Sequence, residues 1–210
     1  MALQPMPGVT GPRQPSELDL ASLVASRLCH DLISPIGAVA NGVELLEMSG
    51  VKGPELDLIA ESALGASARV RFMRIAFGAA DEGQSLDVSQ IRSILDAADR
   101  GSRVRVEWRS PERCVRADVK LAFLLLQCVE TALPKGGPAE VSLGEGGLMI
   151  EARGEVSADR GLWSHLIGDA RPDPEVAPSV VHFPLAAAMA RTASRKVEAE
   201  FGDDRIALSA

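Results

Sequence analysis

The stretch Arg27-Leu28-Cys29-His30-Asp31-Leu32-Ile33-Ser34-Pro35-Ile36-Gly37-Ala38-Val39-Ala40-Asn41-Gly42-Val43-Glu44-Leu45-Leu46 decides how the N-terminal part of this 210-residue chain folds. With Val24 before them, Leu28, Leu32, Pro35, Val39, Val43 and Leu46 recur every three or four residues, the spacing of one apolar helical stripe. Ser16 or Asp19 can cap this helix, which should run to about Met48. Ser49-Gly50-Val51-Lys52-Gly53 then reads as a short loop, with Gly50 suited to a helix C-cap and Pro54 to the first position of a second helix. The stripe of that helix is Leu56, Ile59, Ala63, Ala66, Val70, Met73 and Phe77. Residues 16–80 thus form an αα-hairpin, and residues 1–15, rich in Pro and Gly, a disordered tail.

A hairpin alone leaves its stripes open on one side. Pairing with a second copy about a twofold axis would complete a four-helix bundle, so a homodimer is expected. The alternative is that the second domain covers the stripes.

From residue 81 the texture changes. A helix over 87–100 precedes a strand over 103–109, with Val104, Val106 and Trp108 on one face. A strongly apolar helix over 117–133 stops at Pro134, and strands over 139–143 and 148–152 flank Gly144-Glu145-Gly146-Gly147 as a hairpin. A helix around 184–194 and a last hairpin of 197–201 with 205–208 complete the pattern. The fold class is therefore α+β: a helical hairpin, then an α/β sandwich over 81–210 with a mostly antiparallel sheet and helices on one face.

Composition excludes several functions. A net charge of -7 argues against nucleic acid as a partner. Three scattered cysteines suggest neither a disulfide framework nor a zinc site. The longest apolar runs, 121–126 and 185–190, fall far short of the roughly 20 residues that span a bilayer, and the N-terminus does not read as a signal peptide. A cytoplasmic protein with no membrane partner is expected.

On the first helix, His30 has Ser26, Arg27, Ile33, Ser34 and Gly37 as neighbours, with Asn41 three turns along. This face is small and polar and lies opposite Leu28 and Leu32, so His30 should be exposed, with room for another protein. Pro35 should kink the helix just beyond it. An imidazole is a good nucleophile for reversible phosphoryl storage, and Asp31 can orient it or accept a proton from one ring nitrogen. His165 and His182 lack metal-ligand spacing and are read as ordinary surface or core residues.

The run Cys29-His30-Asp31-Leu32-Ile33-Ser34-Pro35-Ile36 resembles the H box of sensor histidine kinases, a histidine followed by an acid with a proline five residues on. Continued through Gly37 and Asn41-Gly42-Val43-Glu44-Leu45-Leu46, it is closer still to ChpT-type histidine phosphotransferases of alphaproteobacteria. The element order of 81–210 is similar to the ATP-binding (Bergerat-type) domain of histidine kinases, whose asparagine-bearing helix holds Mg²⁺. Here Gln127 and Thr131 stand at the asparagine positions, Ala152 stands at the adenine-reading aspartate, and Arg171-Pro172-Asp173-Pro174-Glu175 replaces the glycine-rich lid. The resemblance thus implies a degenerate domain that does not use ATP. It implies that His30 takes phosphate from the receiver-domain aspartate of a hybrid kinase and passes it to response regulator receivers. The receiver would bring its own Mg²⁺, so the chain needs no cofactor of its own. Receivers would dock over Arg27, Ser34, Gly37 and Asn41, steered by Arg69, Arg71 and Arg74 on the second helix. Two rivals stay open: an active histidine kinase with atypical ATP boxes, and a non-catalytic dimeric regulator.

Overall fold

A computed structural model describes residues 17–81, 83–99, 102–110, 112–144, 146–168 and 176–210. The tail 1–15, the Ser16 or Asp19 cap and the segment 171–175 lie outside the described residues or side chains.

Helix α1 (Glu17–Met48) runs unbroken through Pro35, which lacks the N–H that would bond the Asp31 carbonyl. It ends at Gly50, whose φ of 86° lets the amides of Gly50 and Val51 turn back to the carbonyls of Glu47 and Leu46. Pro54 then opens α2 (Pro54–Ala76).

α1 carries two apolar faces rather than the single stripe read from sequence. Ser22, Cys29 and Val43 are buried, and Ser26, Ile33, Ile36 and Ala40 are half-buried, at alternating steps of four and three. This face meets α2, and its small side chains let the two helices approach closely. The residues of the expected stripe fall elsewhere, Val43 apart: Leu28 is 59% and Leu32 50% exposed, and Val24, Val39 and Leu46 are exposed too. Leu58, Ile59 and Leu64 on α2 are likewise uncovered. The second domain therefore does not cover this outer face. Having two apolar faces also makes Ala21–Met48 long and apolar enough to cross a membrane by length and composition alone, although none of its uninterrupted apolar runs is long. Its remaining arc carries Arg27, His30, Asp31 and Glu44.

The α/β unit follows as β1 (Ser85–Asp87), α3 (Val88–Asp99), β2 (Val104–Arg109), β3 (Arg113–Val115), α4 (Arg116–Ala132), β4 (Gly137–Gly144) and β5 (Gly147–Arg153), then α5 (Arg160–Ile167), α6 (His182–Thr192), β6 (Glu198–Phe201) and β7 (Arg205–Ser209). Five strands lie in the order β2-β4-β5-β7-β6, parallel only between β2 and β4, while β1 and β3 pair apart from them. Alternation buries Val104, Trp108, Val141, Leu143, Leu148, Ile150, Ile206 and Leu208 on one side of the sheet. The other side is charged and exposed, with Arg105, Glu107, Arg109, Glu151 and Arg153. Helix α4 is the centre of the core. It packs between sheet and helices, so its residues 119–126 are buried without a break. Phe123 stacks on Phe72 of α2 at 4.7 Å and meets Trp108 edge-on at 6.2 Å, fastening the hairpin to the sheet unit.

The first residue of β4 is sterically fixed. Gly137 has φ 151°, and a Cβ there would stand 1.9 Å from the Arg153 carbonyl oxygen of β5. Gly137→Ala should therefore lower stability by about 3 kcal/mol, read as an earlier denaturant midpoint at unchanged slope. A variant as stable as wild type would contradict this close approach.

Candidate functional site

His30 projects from the middle of α1 with 76% of its side chain exposed. Its Nδ1 lies 3.2 Å from Asp31 Oδ1, and Asp31 Oδ2 accepts from Arg27 Nε at 2.8 Å. Helix geometry explains the chain of contacts. Arg27 and Asp31 are one turn apart on one face, and Asp31 leans between that partner and the ring beside it. The bond with His30, and after it that from Arg27, holds the Asp31 carboxyl below the ordinary aspartate range. An ionised carboxylate beside Nδ1 keeps the ring proton on Nδ1 and leaves Nε2 with a free lone pair facing solvent.

The surrounding arc is open. Ser34 and Asn41 are exposed, and a Cβ on Gly37 or Gly42 would meet nothing within 4 Å. Among the described residues the glycines here answer no packing need, and they leave the face flat. Pro35 adds to this, because it cannot make the regular i→i−4 bond to the Asp31 carbonyl.

The arginines of α2 separate. Arg74 lies close enough to Cys29 to oppose the rise that burial gives its thiol pKa. Arg69 instead lines a crevice with Phe72, Leu95, Asp99 and Ser102, against α3 and β2. Five helical residues turn through about 140°, so the two guanidinium groups serve different surfaces. Cys29 itself is buried in the hairpin.

Of the positions matched to the kinase ATP boxes, Thr131 and Ala152 are taken up by the chain's own packing. Thr131 Oγ1 donates to the Gln127 carbonyl at 2.9 Å, and His182 Nε2 lies 3.2 Å from the same hydroxyl. With the hydroxyl proton committed to Gln127, His182 Nε2–H must be the donor to Thr131. Ala152 is fully buried in β5, opposite Ala139 and Ile206. His182 takes the core alternative of its sequence reading, a buried strut that ties α6 to α4. Burial pushes its pKa down to about 4.

That shift has a pH consequence. Below the ordinary histidine pKa of about 6.5 the unfolded chain takes up a proton that folded His182 refuses. The contribution is therefore complete above that value and is lost as pH falls toward about 4. Wild type should lose up to about 3 kcal/mol more stability over this window than His182→Gln, measured by urea titrations at successive pH values. Parallel pH profiles would contradict a neutral buried imidazole.

Lys120 is a buried charged residue that the sequence reading passed over. A single lysine within the apolar run 117–133 signals a buried ammonium with specific acceptors, and the structure supplies them in Ser22 and the Gly78 carbonyl.

Among known proteins, residues 88–205 match the family described as histidine phosphotransferase C-terminal domain. Over 130 residues the chain is 40% identical to protein phosphotransferase ChpT of Brucella abortus (strain 2308), a match that takes in 61% of this chain and 62% of that protein. The chain thus spans less than two thirds of that relative's length. A bacterial phosphotransferase of known structure superposes with a TM-score of 0.66 at 28% identity, over 94% of this chain and 98% of the other. Because the family match runs across more than half of its residues, and the fold agrees along nearly its whole length, the chain belongs to the histidine phosphotransferase C-terminal domain family.

Proposed function

We propose that this protein is a histidine phosphotransferase of a two-component phosphorelay, carrying phosphate on His30 between receiver domains. The observation that carries the reading is a solvent-facing imidazole whose Nδ1 is held by an ionised Asp31, leaving Nε2 as the nucleophile. In the forward step, the Nε2 lone pair forms a bond to the phosphorus of a receiver's aspartyl phosphate. The P–O bond to the receiver breaks and its aspartate leaves as a carboxylate. Asp31 holds the Nδ1 proton as the ring gains positive character, and the reverse step delivers phosphate to a second receiver.

The donor is the receiver of a hybrid histidine kinase, and the acceptors are response regulators. Arg27, 76% exposed and held only by Asp31 among the contacts described, is placed to turn toward phosphoryl oxygens as a partner arrives. Ser34, Gly37 and Asn41 give the partner a flat seat, with Arg74 beside it; Arg69 would meet a partner only on the α3 side. The Mg²⁺ for the transfer belongs to the receiver. The apolar outer faces of α1 and α2 are covered by a second copy in a cytoplasmic homodimer.

The α/β unit takes no part in ATP chemistry in this reading. Its support is that Thr131 is engaged by His182 and that a buried Ala152 offers adenine no carboxylate. The kinase alternative is separated by one experiment. Purified protein with labelled ATP alone should acquire no acid-labile phosphate, whereas addition of a phosphorylated receiver should label it at His30. Label from ATP alone would replace the carrier reading by that of a kinase.

A further inference from the structure

Between the hairpin and the α/β unit sits a charged side chain that takes no part in the hydrogen bonds of His30. Lys120, on α4, is 2% exposed. Its Nζ donates to Ser22 Oγ on α1 at 3.0 Å and to the carbonyl of Gly78, just past α2, at 2.8 Å. One ammonium therefore joins α4 to α1 and to the segment just past α2. Its neighbours reinforce the joint. Arg116 Nε donates to the Ala79 carbonyl at 3.0 Å, and the Ala79 amide donates to Ser26 Oγ at 2.8 Å. Gly78 is pressed in between, where a Cβ would stand 2.3 Å from the Arg74 carbonyl oxygen and 3.1 Å from Ser26 Oγ.

A buried ammonium is a poor way to gain stability, because desolvation offsets much of what its bonds return, and an apolar side chain would fill the same space. What it adds is direction: acceptors must be met at set distances, so the angle between the elements is fixed. Ser22 lies eight residues before His30, about 12 Å along the helix and about 80° around it. A globular partner of about 120 residues has a radius of gyration near 14 Å, so one seated over His30 reaches the level at which the α/β unit joins the hairpin.

We propose that Lys120 is a positioning residue for phosphotransfer. By clamping α4 to Ser22 and Gly78 it holds the α/β unit at one angle beside His30, and a receiver meets both units as one surface. The inference rests on the carrier role of His30 argued above. It gives Lys120 no contact with phosphate.

Lys120→Met removes the ammonium and keeps the length of the side chain. Transfer from a phosphorylated receiver to His30 should fall about tenfold in kcat/KM, mainly through KM. Labelling of His30 by phosphoramidate, a donor too small to reach α4, should stay within about twofold of wild type. Ser22→Ala removes one acceptor and almost no volume, and should shift KM in the same direction by about threefold. It takes the place of Lys120→Met if that variant does not fold. A wild-type KM in the folded variant overturns the inference and leaves the carrier role intact. Equal losses with both donors overturn it as well, since general damage to the hairpin would give that result. A wild-type protein that accepts phosphate from neither donor removes the carrier reading, and this inference with it.

Discussion

Exchange of His30 for Gln is expected to end phosphate passage between two receivers, with the transfer rate falling below about one thousandth of wild type. Glutamine keeps polarity and can still bond Asp31, but its amide nitrogen has no nucleophilic lone pair. The fold should be indifferent to the change. His30 is 76% exposed, and its one described side-chain contact is with Asp31, so stability should stay within about 0.5 kcal/mol of wild type. Asp31→Asn is the informative comparison. It retains an oxygen beside Nδ1 but loses the charge, and should slow transfer by about ten- to a hundredfold without abolishing it. Acid-labile label on the carrier and acid-stable label on neither variant, followed with a donor and an acceptor receiver, measures both. Relay that survives His30→Gln would remove the central claim.

Placing acids on the outer face of α1, as Leu28→Glu with Leu32→Glu, should convert a dimer into a monomer at micromolar concentration. Each large apolar side chain covered by a partner contributes about 1.5–3 kcal/mol. The double variant alters four leucines per dimer, a loss of order 6–12 kcal/mol, and micromolar association corresponds to only about 8 kcal/mol. The hairpin within each chain should persist, because it packs through the separate face of Cys29, Ile33, Ile36 and Val43. Light scattering would therefore report half the mass while helical circular dichroism changes little. A wild-type monomer, or a variant that still pairs, would each contradict the assigned use of this face.

Both expectations depend on distinctions that the sequence carries unevenly. The hairpin, its turn at Gly50 and Pro54, the apolar α4 and the strand β2 were legible, because long periodic segments and strong breakers leave few alternatives. The assignment of faces on α1 was not. Apolarity selects Leu28 and Leu32, whereas close helix packing selects small residues such as Ser22, Ser26, Cys29 and Ala40, which a hydrophobic stripe omits. The pair β1 and β3 was missed because three residues are too few to show a period of two. Helix α5 did leave a signal: Asp159 accepts from the Leu162 amide at 2.8 Å as its N-cap, and Trp163 and Leu166 are buried one turn apart. At the site, the nearness of Arg27, His30 and Asp31 follows from adjacency and helical spacing, whereas the role given to His30 came from the resemblance of its box. The partners of Lys120 and His182 were not legible, since they come from residues 98 and 51 positions away.

The cysteines of this chain have a practical side. Cys29, Cys114 and Cys128 are all buried, and none forms a disulfide. Burial raises each thiol pKa, with Arg74 partly opposing the effect at Cys29 and Cys128 shifted furthest. Thiolate is the reactive form, so the native thiols should be nearly silent toward maleimides at neutral pH. A single cysteine introduced at an exposed site, for instance Glu44 on α1 or Glu151 on the charged side of the sheet, would then take a fluorophore or spin label selectively. The wild-type chain is in that sense already a cysteine-light background, ready for distance measurements across the hairpin while phosphate is in transit.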